Sequence, residues 1–283
     1  MSSSQAATAP RILGRTGATV EAVSLGGEGI LRTHGQSEDA VAMLLEALRD
    51  SVRYCDTAPA YDDSQSYYGE AFKKMQGARD GVFLASKTHE RTRTGALALL
   101  GGSLRKLGTD RLDLWQMHDL RTKGDLDAMF ARGGAIEAAE EAKQAGKVRF
   151  IGLTGHHDPA ILLAAMDRYA FDCVLLPINP ADPERLPFIT TVIPAARERG
   201  MGVIGMKVLA AGRLVNEGAA TAEECIRYAM AHADTLIIGC SSASEVRANL
   251  RVGRTATPMS VAEQAAFEAR IARKASRYAY FKA

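Results

Sequence analysis

Eight short apolar or β-branched runs recur along the chain at a nearly constant interval. They are VEAVSLGG (20–27), VRYCDT (52–57), GVFLASKT (81–88), LDLWQMH (112–118), VRFIGLTG (148–155), FDCVLLPIN (171–179), GVIGMKVL (202–209) and TLIIGCS (235–241). Their carboxyl ends fall near Gly26, Asp56, Lys87, His118, Thr154, Asn179, Lys207 and Gly239, with successive gaps of 30, 31, 31, 36, 25, 28 and 32 residues. Segments with helical apolar spacing lie between them, such as SEDAVAMLLEALRDS, with Ser37 as its candidate N-cap, and RTGALALLGGSLRKLG. Several stop on glycine, at Gly108, Gly146 and Gly200, the usual left-handed end of a helix. One such run alone reads equally as a buried helix. Eight strand–helix alternations at one period do not. They predict a parallel sheet, and eight units in about 250 residues predict a closed (β/α)8 barrel over an open doubly wound sheet.

What lies outside the rhythm is short. RILGRTGATVEAVSLGG has Thr16-Gly17 between two short runs, which predicts a small hairpin before the first barrel strand. SVAEQAAFEARIARKASRYAYF predicts a further C-terminal helix with a solvated basic face. The polar start, MSSSQAATAP, reads as a flexible tail over 1–10, leaving 11–283 as one barrel domain. It has neither the basic start nor the apolar stretch of a signal peptide. Four scattered cysteines, Cys55, Cys173, Cys225 and Cys240, make neither a disulfide framework nor a zinc-ligand spacing, so the expectation is a cytoplasmic protein without a metal site. A net charge of +2 gives no electrostatic case for nucleic acid or a membrane surface. The oligomeric state is not readable.

In a barrel of this kind, residues at the carboxyl ends of strands face the active-site mouth. Asp56, Lys87 and His118 end three successive runs, and Tyr61 lies on the loop after the first. Each has an ordinary reading: Asp56 as a turn residue, Lys87 as a snorkelling lysine, His118 as a hydrogen-bonded core histidine. Together they form a proton-transfer group. A free tyrosine has a pKa of about 10, and a neighbouring ammonium favours its phenolate. Asp56 would keep Lys87 charged, Tyr61 would exchange a proton with a carbonyl or alcohol oxygen, and His118 would orient that oxygen. No side chain here supplies a hydride, so the chemistry calls for a nicotinamide cofactor.

The sequence DTAPAY, through Asp56 and Tyr61, Lys87 in LASKT, His118 in LDLWQMHDL and the eight-unit rhythm together resemble the aldo-keto reductase superfamily over roughly residues 11–252. The resemblance implies a TIM barrel, a tetrad of Asp56, Tyr61, Lys87 and His118, and reversible reduction of a small aldehyde or ketone. It implies NADP(H) as the default cofactor, held across the barrel mouth without a glycine-rich dinucleotide turn. The cofactor contacts it assigns are Gly26, Gly27, Thr154, Asn179, Met206, Lys207, Leu209, Gly212, Gly239, Ser241, Ser242 and Asn249.

The match is looser on the cofactor side. Gly155 stands where the family has an asparagine, Leu175 where it has a glutamine and Met206 where it has an aromatic residue. Lys207 takes a position usually held by serine. Glu245 stands where an arginine often meets the 2′-phosphate, which leaves NAD(H) open, with Arg247 or Arg251 as possible compensation. The short C-terminal tail implies an open pocket. These departures keep two other readings alive: a nucleotide-binding sensor or subunit with little turnover, and an epimerase or lyase that retains its cofactor.

Overall fold

Each apolar run becomes a strand, and the strands close on one another. The computed structural model describes residues 10–282. A hairpin comes first, β1 (Arg11–Ile12) antiparallel to β2 (Thr19–Val20). The barrel strands follow: β3 (Val23–Gly29), β4 (Tyr54–Asp56), β5 (Phe83–Thr88), β6 (Leu112–Met117), β7 (Val148–Thr154), β8 (Cys173–Pro177), β9 (Gly202–Met206) and β10 (Thr235–Cys240). Neighbours pair in parallel in chain order, and β10 pairs with β3 to complete the ring. The expected (β/α)8 barrel is therefore the observed fold.

Helices α1 (Ser37–Arg49), α2 (Ser64–Lys74), α3 (Arg93–Leu107), α4 (Lys123–Phe130), α5 (Ala135–Gln144), α6 (Pro159–Met166), α7 (Val192–Glu198), α8 (Arg213–Asn216) and α9 (Ala222–Met230) connect the strands, and α10 (Ala243–Thr255) follows the last of them. Their apolar faces and the outward faces of the strands form one continuous core that includes Leu44, Leu84, Trp115, Ile151 and Tyr228. Trp115 is fully enclosed there, as its place within a strand pattern predicts. Gly108, Gly146 and Gly200 all adopt the left-handed conformation expected of helix stops. Ser37 differs from its expected role. It is the first helical residue, preceded by Gln36, and its hydroxyl bonds Glu70 instead of capping the helix.

A second, smaller cluster fills the barrel interior. Tyr54, Phe83, Ala85, Leu114, Cys173, Leu175, Ile204 and Ile237 point inward, and Leu13 and Val20 of the hairpin join them. Tyr54 stacks on Phe83 at 5.6 Å between ring centres, and Phe83 on Phe150 at 6.0 Å. The hairpin closes the amino-terminal end of the barrel. Gly14 is essential to this fit, because a Cβ there would lie 2.2 Å from the Gly202 nitrogen. Side chains alternate along a strand, so residues two places beyond this apolar layer form the next inward layer. Asp56 follows Tyr54, Lys87 follows Ala85, and Gln116 follows Leu114.

The C-terminal helix is broken. Helix α11 (Val261–Ile271) runs into a tight turn at Ala272–Lys274 and then α12 (Ala275–Tyr278). The chain end then folds back over the barrel mouth. Lys282 is buried, with its Nζ 2.5 Å from Asp182 Oδ1, and it also donates to the Arg185 and Leu186 carbonyls. This anchor puts Phe281 against Lys207, whose Nζ is 5.1 Å from the ring centre, and edge-on to His156. The pocket is therefore walled on the side where the short tail implied an opening. Residues 1–9 of the expected N-terminal tail lie outside the described residues. Among the described residues, no helix is long and apolar enough to cross a membrane.

Candidate active site

Asp56, Lys87 and Gln116 meet at the top of the barrel interior, and all three are fully buried. Lys87 Nζ is in direct contact with Asp56 Oδ2, and it also donates to the Thr57 carbonyl at 3.0 Å. Gln116 Nε2 approaches Asp56 Oδ1 at 3.4 Å. Burial pushes the Asp56 carboxyl up, and Lys87 and Gln116 oppose this. Burial also works against the Lys87 ammonium, but Asp56 and Tyr61 outweigh it and hold its pKa above the ordinary lysine value. Lys87 is thus enclosed beside a carboxylate that favours its charged form.

Tyr61 closes the pocket from above. The loop that carries it is locked, with Tyr61 N bonded to the Ala58 carbonyl, Ser64 N to the Tyr61 carbonyl, and the Thr57 and Ser64 hydroxyls bonded to each other. The Lys87 ammonium lies 4.6 Å from the Tyr61 ring centre and the Arg32 guanidinium 5.3 Å from it. His118 meets the ring edge-on at 5.8 Å. Asp56, Tyr61, Lys87 and His118 are therefore one cluster. Lys87 lowers the Tyr61 pKa, the direction anticipated from sequence, but burial is the larger effect and the net shift is upward. Burial and the Lys87 charge push His118 down to about 2, so its ring is neutral at working pH.

Gln116 was not singled out from sequence, although its signal was present. It lies at an inward-facing position of β6, two residues before His118, which follows the strand. Gly27 has a packing role. A Cβ there would lie 2.7 Å from Tyr61 Cδ2 and 2.8 Å from the Asp56 carbonyl, so the glycine makes room for the Tyr61 ring. Gly26 packs against the Ile238 backbone in the same way, at 3.1 Å.

The remaining sequence-selected residues lie in or after the last four barrel strands. Thr154 is buried at the end of β7. A Cβ on Gly155 would lie 2.9 Å from both the Leu120 carbonyl and Leu162 Cδ2, which accounts for the missing side chain there. Leu175 belongs to the interior apolar layer. Asn179 donates to the Lys207 carbonyl and accepts from Ala181 N, so its amide ties the β8 loop to the β9 loop. After β9 the chain turns sharply, with Lys207, Ala210, Ala211 and Gly212 all in the left-handed region. Met206, Lys207 and Leu209 are half-buried along this turn.

At β10, Gly239 allows Glu28 to pass within 2.5 Å of a would-be Cβ. Ser242 caps α10 by accepting from Glu245 N. The Glu245 carboxylate accepts from Ser241 N at 2.8 Å. Asn249 is buried and donates to Cys240 Sγ. Arg247 is paired with Glu46 of α1.

Comparison with known proteins agrees with this geometry. The chain is 30% identical over 225 residues to L-galactose dehydrogenase of Arabidopsis thaliana, covering 74% of this chain and 67% of the relative. The holo form of aldo-keto reductase AKR11C1 from Bacillus halodurans superposes with a TM-score of 0.77 at 23% identity, over 92% of this chain and 95% of that one. An aldo/keto reductase from Klebsiella pneumoniae, in complex with NADP and acetate, gives a TM-score of 0.75 at 20% identity, over 93% and 95%. At such identities the structural likeness speaks for the fold alone. Residues 22–223 match the sequence profile of the aldo/keto reductase family, and with the closed barrel and the relatives above, the chain belongs to that family.

Proposed function

We propose that the protein is a nicotinamide-dependent oxidoreductase that interconverts a small aldehyde or ketone and the corresponding alcohol. The observation that carries this reading is the buried Asp56–Lys87 ion pair beneath the Tyr61 ring, with neutral His118 at the ring's edge. An ion pair enclosed in a barrel core is costly to build and adds little stability. Its place under a tyrosine at the mouth is accounted for by proton transfer.

Bound nicotinamide would supply the hydride for reduction or accept it in oxidation. Tyr61 gives its proton to the carbonyl oxygen in reduction and recovers it in the reverse direction. Lys87 stabilises the phenolate left behind, and Asp56 keeps Lys87 protonated. His118, uncharged, donates a hydrogen bond that orients the oxygen. Thr154, Met206, Lys207 and the left-handed turn to Gly212 would border the nicotinamide and pyrophosphate, and Ser241 and Ser242 at the α10 N-terminus would border the adenosine.

The residues around α10 favour NAD(H) over NADP(H). Glu245 already occupies the Ser241 amide, and it puts a negative charge where the family resemblance has an arginine for the 2′-phosphate. Arg247 is held by Glu46. The plant relative's name specifies a sugar, and a small polar carbonyl compound fits a mouth that holds His118, Asp119, His156 and Lys207. Fluorescence titration of the purified protein with NADH and, separately, NADPH tests the reading. Micromolar binding, tighter for NADH, is expected. Binding of neither at millimolar concentration would end the redox assignment and leave the tetrad without a hydride partner.

A further inference from the structure

One group at the barrel mouth has no part in the proton-transfer machinery. Asp119 follows β6, and His156 and His157 follow β7 in the sequence GLTGHH. One ligand atom from each, the Asp119 Oδ1 oxygen and a nitrogen from each histidine, all lie within 4.8 Å of one another. His156 Nδ1 is 3.5 Å and His157 Nε2 is 3.7 Å from Asp119 Oδ1.

These are not hydrogen bonds. A charge-assisted N–H···O bond is about 2.7–2.9 Å long. Asp119 Oδ1 and His157 Nε2 are both buried atoms without a hydrogen-bond partner. Leaving such atoms unpaired costs about 1–3 kcal/mol each. The other carboxylate oxygen is committed, since Arg121 Nη2 and Nε contact Asp119 Oδ2 at 2.6 and 2.7 Å. Arg121 thus fixes the carboxylate so that Oδ1 faces the two imidazoles, as an outer partner orients a metal ligand. Asp119 holds this pose with a left-handed backbone, φ +54°.

The two carboxylate–imidazole distances, 3.5 and 3.7 Å, come close to those around a tetrahedral ion. Zinc–nitrogen and zinc–oxygen bonds of about 2.0–2.2 Å put ligand atoms roughly 3.3–3.6 Å apart at tetrahedral angles. We propose that Asp119, His156 and His157 form a three-ligand site for a divalent transition ion, zinc or a close relative, with its fourth position open to water or another oxygen donor. The expectation of no metal rested on cysteine spacing, and this set contains no cysteine.

The surroundings narrow the choice of ion. Arg121 and Lys207 both act electrostatically on the two histidines. Their field opposes every cation. Magnesium and calcium depend on charge and on six or more oxygen ligands, which this site lacks. Imidazole nitrogen suits zinc, copper, iron and nickel, whereas carboxylate-and-water sites suit magnesium and calcium.

The test uses untagged, chelator-treated wild-type protein titrated with Co2+, followed by visible absorption and then by displacement with Zn2+. The expected result is one ion per chain with the intense bands of tetrahedral cobalt. His156→Ala and Asp119→Asn should each weaken binding by about 100-fold or more, beyond the roughly 10–100-fold typical of losing an outer partner. His34→Ala, at a surface histidine beside Asp62 and Asp63, should leave binding unchanged. Circular dichroism checks that each variant is folded, and the wild-type spectrum stands as a test without them. Absence of tetrahedral bands in the wild type, or binding that survives both ligand substitutions, overturns the site. The readout is independent of the redox reading: metal binding without nucleotide binding would sink the reductase assignment alone, and the converse would sink this one alone.

Discussion

The Lys87 ammonium lies over the Tyr61 ring, 4.6 Å from its centre. Burial raises the Tyr61 pKa and Lys87 only partly offsets it, so without cofactor the phenol stays above the ordinary tyrosine value of about 10. The protonated form, which carbonyl reduction needs, is therefore present throughout the neutral range. The phenolate, which alcohol oxidation needs, is scarce there and grows with pH. Reduction should be nearly flat from about pH 6 to 9, and oxidation should climb roughly tenfold per unit. Rate profiles in both directions test this. A plateau of the oxidation rate near pH 7 would show that Lys87 outweighs burial.

Removing one partner of the buried pair should be expensive. Asp56→Asn leaves the Lys87 ammonium enclosed without its counter-ion, at a cost of about 3–5 kcal/mol. Urea unfolding of the variant and the wild type measures this directly. A loss below about 1 kcal/mol would mean that Lys87 is uncharged in the folded protein.

Gly27 makes room for Tyr61, so the smallest possible enlargement should misplace the proton donor. Gly27→Ala should lower kcat by about 10- to 100-fold, since a shift of about 1 Å at a reacting group has effects of that size. Cofactor affinity should change far less. A wild-type kcat in this variant would show that the Tyr61 ring can move aside at no cost.

Glu245 should govern the choice between the two nucleotides. Glu245→Gln removes the negative charge and retains a hydrogen-bond acceptor for the Ser241 amide. NADPH affinity should rise by about 5- to 10-fold, corresponding to roughly 1–1.4 kcal/mol, while NADH affinity stays within about twofold. Fluorescence titration of both nucleotides reads the ratio, and equal changes for both would remove Glu245 from the selectivity.

What could be read from the sequence followed from local periodicity. Alternation within a strand put Asp56, Lys87 and His118 at strand ends, and the recurring interval placed those ends around one mouth. Gln116 was within reach of the same rule, two places before His118, but a glutamine in an apolar run carries no chemical flag of its own. The tail escaped because its anchor is a contact across 100 residues, from Lys282 to Asp182. No local pattern announces such a pair. The role of Gly27 also depends on a loop that returns to it from residue 61. Glu245 was legible as a departure, but its hydrogen bond to the Ser241 amide required coordinates.

The most direct test of the reductase reading is Tyr61→Phe, assayed for NADH- and NADPH-linked reduction of a panel of small carbonyl compounds, with cofactor binding measured in parallel. The wild type should consume cofactor with at least one carbonyl. The variant should lose about 10²- to 10⁴-fold in rate, the usual worth of a general acid, and should bind cofactor within about twofold of the wild type. Turnover at the wild-type rate in Tyr61→Phe would contradict the assignment and move the proton donor elsewhere.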